Sequence, residues 1–235
     1  MNKNMEETKI KFIENARYEL INILIDKYEF NDYLEIGYQQ GINYNKINIK
    51  NKTAVDPSPL MNISTNDVDI INGIYVERKN NLYLTTSDLF FQKFTYKYDI
   101  IFIDGLHTYD QVKKDFDNSI KSLNPNGVIV LHDMNPDDVF YNGSIITGEE
   151  RSKSFDEGGQ WNGDCFKLAI DISNGLYNYE YVTLDMDNGC MVVFPFIERK
   201  VYENRNITKD YNSLNNDRVN ILNLKDTQES IKYFK

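Results

Sequence analysis

At 235 residues, with 41% apolar and 13% aromatic content, the chain suits one α/β domain with additions and buries a sizeable core. No run of about 18 apolar residues exists to span a bilayer, and the start, MNKNMEETKIKF, lacks the apolar stretch and small-residue cleavage site of a secretory signal. A formal net charge of −10 without a basic patch disfavours nucleic acid as a partner.

Two cysteines, Cys165 and Cys190, give neither a disulfide framework nor metal-ligand spacing. Two buried thiols in a reducing cytoplasm are the expectation.

Residues 5–28 place Ile13, Ala16, Leu20, Ile23 and Leu24 on one face, which predicts an amphipathic helix over one edge of the domain. Tyr33-Leu34-Glu35-Ile36-Gly37 follows as a short strand ending in glycine, with Gly41 four residues later. The Glu-x-Gly-x-x-x-Gly spacing lets the backbone turn tightly into a helix and leaves room for a ligand against the main chain. An ordinary strand-to-helix turn carries the same signature. Thr53-Ala54-Val55 reads as the second strand, with Asp56 at its carboxyl end, 19 residues after Gly37. A doubly wound fold holds ribose hydroxyls with an acid at this place, and a side chain capping its own turn fits equally.

Residues 58–80 are polar and suggest a loop or a short helix. Leu82–Thr86 predicts a third strand, with Ser87 or Asp88 capping the next helix or, in a nucleoside-binding reading, Asp88 meeting an adenine amino group. Tyr98–Ile103 is a fourth strand covered on both faces, and it delivers Asp104. Gly105 permits a sharp exit, and the next helix carries Val112, Phe116, Ile120 and Leu123 on its apolar face until Asn124-Pro125-Asn126-Gly127 stops it. Val128–Leu131 is the fifth strand and delivers His132-Asp133. Both histidines of the chain, His107 and His132, thus sit just beyond strand ends beside aspartates, on the rim where open α/β sheets bind ligands.

Residues 135–163 read as a lid-like insertion over that rim. Its end carries Trp161, either packing on a substrate or anchoring the helix that holds Phe166, Ala169 and Ile170. Tyr179–Leu184 and Met191–Phe196 form an antiparallel pair through Asn188-Gly189. Residues 198–235 make a polar extension with a weak apolar cluster at Val219, Ile221, Leu222 and Leu224. A mobile tail, an added helix and a homo-oligomer contact all fit it.

The parallel core, the Glu35-to-Gly41 turn, Asp56 and the final hairpin together resemble the class I methyltransferases that use S-adenosylmethionine, over roughly residues 30–196. Phe102-Ile103-Asp104-Gly105-Leu106-His107-x-Tyr109, followed by Gly127-Val128-Ile129-Val130-Leu131-His132-Asp133, more closely resembles small-molecule and sugar O-methyltransferases. That subfamily includes metal-dependent enzymes of macrolide sugars and relatives in surface-glycan pathways. The resemblance implies an α/β, Rossmann-like sheet of order 3-2-1-4-5-7-6, parallel except for an antiparallel last strand, with helices on both faces. One methyltransferase domain would span residues 1–197.

It also implies Glu35, Gly37 and Gly41 beside the methionine part of the cofactor, Asp56 on its ribose, and Ser87 with Asp88 near its adenine. Asp104 would serve both cofactor and metal, Asp133 would be a metal ligand, and His107 matches the general base. Where those enzymes place a glutamate before the second aspartate, this chain has His132, a third ligand or a neighbour of the site. Two carboxylates with waters suit Mg²⁺, and ligation by His132 would favour Mn²⁺. The expected activity is O-methylation of a sugar or other hydroxylated small molecule. An N-methyltransferase of amino sugars and a non-catalytic cofactor-binding or assembly protein are the alternatives. A nicotinamide oxidoreductase is disfavoured because Gly37-Tyr38-Gln39-Gln40-Gly41 lacks the Gly-x-Gly-x-x-Gly pattern.

Overall fold

The computed structural model describes residues 17–137, 161–199 and 205–226. Their elements run α1 (Arg17–Tyr28), β1 (Asp32–Ile36), β2 (Asn51–Val55), β3 (Val68–Ile71), β4 (Ile74–Glu77), β5 (Leu82–Tyr83), α2 (Ser87–Lys93) and β6 (Tyr98–Ile103). The second half adds α3 (Tyr109–Ser122), β7 (Leu123–Leu131), α4 (Phe166–Ser173), β8 (Tyr179–Leu184), β9 (Cys190–Glu198), α5 (Tyr211–Asn216), α6 (Arg218–Leu222) and β10 (Leu224–Lys225). The expected helix over residues 5–28 is present from Arg17, and its earlier part lies outside the described residues, as do residues 138–160 of the lid-like insertion.

One sheet takes in all the strands, in the order β10-β8-β9-β7-β6-β1-β2-β5-β4-β3. The stretch β5-β2-β1-β6-β7-β9-β8 reproduces the expected 3-2-1-4-5-7-6. Pairings from β5 through β7 are parallel, while β9 runs antiparallel to both β7 and β8.

The period-2 alternation of the central strands sorts their side chains into two cores. Leu34, Ile36, Ile101, Ile103, Ile129 and Leu131 face one side, where they meet Phe90 of α2, Phe116 of α3 and Phe166 of α4. Tyr33, Ile100, Phe102, Val128 and Val130 face the other and meet Leu20, Ile21 and Leu24 of α1. Each such side chain that is fully buried contributes roughly 1.5–3 kcal/mol. With both faces covered, only the ends of the strands remain open to a ligand.

The structure corrects two local expectations. Residues 68–77 are a β-hairpin on the β5 side of the sheet, neither loop nor helix. Its turn is Asn72-Gly73, both residues at positive φ (51° and 80°), a strong hairpin signal. The cap of α2 is Thr86, whose hydroxyl accepts from the Leu89 amide. Ser87 and Asp88 lie inside the helix, where both accept from the Gln111 amide at 3.2 Å.

The cysteines are both buried and free. The described part of the C-terminal extension packs on the sheet. Leu214, Ile221 and Leu222 are wholly buried, and β10 pairs with β8.

Candidate active site

The carboxyl ends of β1, β2, β6 and β7 share one rim, and topology adds a fifth contributor. Because β9 is antiparallel, with Met191 opposite Leu131, the turn before it lies at that same rim. Asp187 in this turn therefore lies near His132, their Oδ1 and Nε2 atoms 3.6 Å apart. In the sequence, this turn carries only the Asn188-Gly189 hairpin signal.

Four sequence-identified residues converge here. His132 Nδ1 is 3.1 Å from Asp104 Oδ1 and 3.2 Å from Asp133 Oδ1. His107 Nε2 is 3.4 Å from Asp104 Oδ1, and its Nδ1 is 3.0 Å from Asp133 Oδ2. One ligand atom each from Asp104, His107 and Asp133 fall within 4.8 Å of one another. His132 groups in the same way with Asp187 and Cys190. Helix α1 contributes a residue that no local pattern announced: Arg17 Nη1 donates to Asp104 Oδ2 at 2.8 Å and lies 3.1 Å from the His132 ring nitrogens. Arg17 Nε is 3.4 Å from Asp187 Oδ2.

Burial and charge set the protonation of this cluster. Burial opposes a charge on His107, but Asp133 and Asp104 outweigh it and hold the ring at about 9. His132 is likewise raised well above its ordinary value by Asp133 and Asp104 against its own burial. Asp104 is lowered despite burial, chiefly by His132, His107 and Arg17. Asp104, Asp133 and Asp187 thus face Arg17, His107 and His132, so the acidic groups of this buried rim lie against basic partners.

The residues expected at the cofactor are arranged less uniformly. Glu35 is 1% exposed, and accepts from the Tyr33 hydroxyl and from Asn43 Nδ2 at 2.7 Å. Burial pushes its carboxyl up to about 7 against those two hydrogen bonds. Gly37, at φ +95°, makes room for protein: a Cβ there would strike the Asp104 carbonyl. Gly41, at φ +71°, similarly leaves space for the Tyr38 ring. Asp56 accepts from the Gln39 amide at 2.8 Å and the Ser58 amide at 2.7 Å, so it caps its turn and ties the loops after β1 and β2 together. A carboxylate has about four acceptor positions, which leaves Asp56 capacity for hydroxyl donors.

Residues 34–134 match a family model described as a methyltransferase domain. The matched segment, under half of the chain, is similar to a methyltransferase domain. It runs from β1 to the residue after Asp133, which takes in the whole sequence-identified part of the rim. No curated protein sequence matches the chain.

Among solved structures, it is similar to an SAH-bound methyltransferase from Podospora anserina (16% identity, 80% of this chain and 84% of that one, TM-score 0.47). It is also similar to an O-methyltransferase from Bacillus cereus in complex with SAH (11%, 80% and 86%, 0.42). A third is the N-methyltransferase NodS from Bradyrhizobium japonicum (15%, 82% and 96%, 0.37). Among the described residues, no helix of this chain is long and apolar enough to cross a membrane.

The donor chemistry of the rim fits a cation. Asp133 Oδ2 is buried and lacks a well-directed hydrogen bond, although His107 Nδ1 lies 3.0 Å away. An anionic oxygen in that position, beside Asp104, suits a divalent ion or the positive sulfonium of the cofactor. Arg17 already offers Asp104 a positive charge.

Proposed function

We propose that this chain is an S-adenosylmethionine-dependent methyltransferase acting on a hydroxyl of a sugar or similar small molecule, with a divalent ion assisting. The observation that carries the reading is the convergence of Asp104, His107 and Asp133 within 4.8 Å at the carboxyl rim of a methyltransferase sheet. When bound, S-adenosylmethionine supplies the methyl group, and a divalent ion supplies a Lewis acid that lowers the pKa of the acceptor hydroxyl.

Asp104 and Asp133 would hold the ion, with His132 as a third ligand or as the cation that orients Asp104. Carboxylates with waters favour Mg²⁺, and an imidazole ligand shifts the preference toward Mn²⁺. Asp56 would bind the ribose, Ser87 and Asp88 the adenine side, and Asp104 the rim next to the methionine part. Glu35, Gly37 and Gly41 support that rim from beneath. His107 would take the acceptor's proton. A base must start neutral, and Asp133 and Asp104, while they face His107 unshared, hold its ring up at about 9. Engagement of those carboxylates elsewhere lowers the imidazole pKa and frees a nitrogen to accept.

The expected result is calorimetric binding of S-adenosylmethionine or its demethylated product, and methylation of hydroxylated acceptors that stops on chelation and returns with Mg²⁺ or Mn²⁺. Turnover that survives thorough chelation and Asp104→Ala would remove the metal and leave an N-methyltransferase of amino sugars as the better reading. Absence of cofactor binding would overturn the activity itself. Near-normal turnover in His107→Ala would remove the base.

A further inference from the structure

Residues 161–164, just before α4, each press on the rim. The Trp161 ring stacks on His107, centroids 5.3 Å apart and planes 28° from parallel, while the Trp161 carbonyl lies 2.6 Å from His107 Nδ1. Asn162 is fully buried and donates Nδ2 to Asp133 Oδ1 at 2.6 Å. Gly163, at φ +59°, lies so close to the His107 carbonyl that a Cβ would collide with it. The Asp164 amide donates to that carbonyl at 3.3 Å, and Asp164 Oδ1 accepts from the Tyr109 amide at the start of α3.

We infer that these four residues form a clamp that holds the His107 ring with its Nδ1 proton on the Trp161 carbonyl and sets the aim of Asp133, with Asn162 as a positioning residue. The inference rests on the methyl-transfer reading above for its consequence, but its geometry stands alone. A carbonyl oxygen only accepts, so the hydrogen bond to Trp161 places a proton on His107 Nδ1. In the neutral ring the lone pair is then on Nε2, the nitrogen that faces Asp104 at 3.4 Å. Asp133 sits at φ +61°, a conformation uncommon for a residue with a side chain and held only by its surroundings. The Asn162 amide is a buried donor that holds it. By occupying Oδ1, Asn162 turns Oδ2 toward His107 and the rim.

The chain has only two histidines, so ¹⁵N-edited spectra of the full-length protein, compared with His107→Gln, identify the His107 ring. A slowly exchanging Nδ1 proton is expected in the wild type and its loss in Asn162→Ala and Gly163→Ala. In the same variants kcat should fall roughly 10²-fold, as for a misplaced catalytic group, while calorimetric affinity for S-adenosylmethionine and the acceptor KM stay unchanged. An Asn162→Ala protein that keeps the Nδ1 proton and its kcat overturns the clamp. Should Gly163→Ala fail to fold, Asn162→Ala carries the test, since it removes only an amide. Failure of the wild type to bind S-adenosylmethionine would strike the methyl-transfer reading and leave the spectroscopic test of the clamp in force.

Discussion

Glu35 is an acid held where water does not reach, and its effect on stability runs opposite to that of a salt-bridged carboxylate. Its folded pKa is raised from the ordinary 4.5 to about 7, by burial first, with the Tyr33 and Asn43 hydrogen bonds opposing. Between those values the native state binds the proton more tightly than the unfolded chain does. Stability from this group is therefore fully present below pH 4.5 and is lost as pH rises toward 7. The gap corresponds to on the order of 3 kcal/mol. Glu35→Gln, which keeps an acceptor for Tyr33, should flatten that decline in urea denaturation measured from pH 4.5 to 8. A wild-type profile already flat over that range would show that Glu35 is ionised throughout. The residue was legible in the sequence as the start of a glycine turn. Its role was not, because the oxygen that fills the space beside Gly37 belongs to Asp104, 67 positions away in the chain.

Among the elements, strands were easier to read than helix contacts. The buried runs at Tyr98–Ile103 and Val128–Leu131 declare themselves by composition alone. The hairpin of β3 and β4 carried its Asn72-Gly73 turn openly, yet its polar flanks, with Ile70 and Tyr75 exposed, disguised the strands. Helix α1 was expected as a cover, and its first described residue is also part of the site. An arginine whose partner lies 87 positions away leaves no local signal. In the metal-assisted reading, a divalent ion on Asp104 would compete with the Arg17 guanidinium, which donates to the same carboxylate. Arg17→Ala should therefore tighten Mn²⁺ binding in calorimetry, and Asp104→Ala should weaken it. Equal affinity in Arg17→Ala and the wild type would mean that α1 and the ion do not compete.

At the scale of the whole molecule, a sheet with both faces covered places all its chemistry at strand ends. That arrangement was legible because the central strands are continuous apolar runs and Asp56, Asp104 and Asp133 stand just beyond them. The extension after β9 was not legible, since its few apolar residues are spaced too irregularly to show which face they bury. The fold decides between neighbours: Ile221 is wholly buried, while Val219 is 63% exposed. The Ile221 carbonyl accepts from the buried Tyr181 hydroxyl at 2.6 Å, and Asn223, in the left-handed region at φ 44°, ends α6 so that β10 can join β8. Helices α5 and α6 thereby close one core of the sheet near β8. Ile221→Ala should cost about 2–5 kcal/mol, a transfer term plus a cavity term, whereas Val219→Ala should stay within about 0.5 kcal/mol of the wild type. The urea midpoint of each variant checks this. If the extension is one cooperative unit with the sheet, Ile221→Ala shifts a single transition seen alike by fluorescence and circular dichroism. If it docks independently, an early transition separates from an unshifted main one, and the sheet folds without the C-terminal helices.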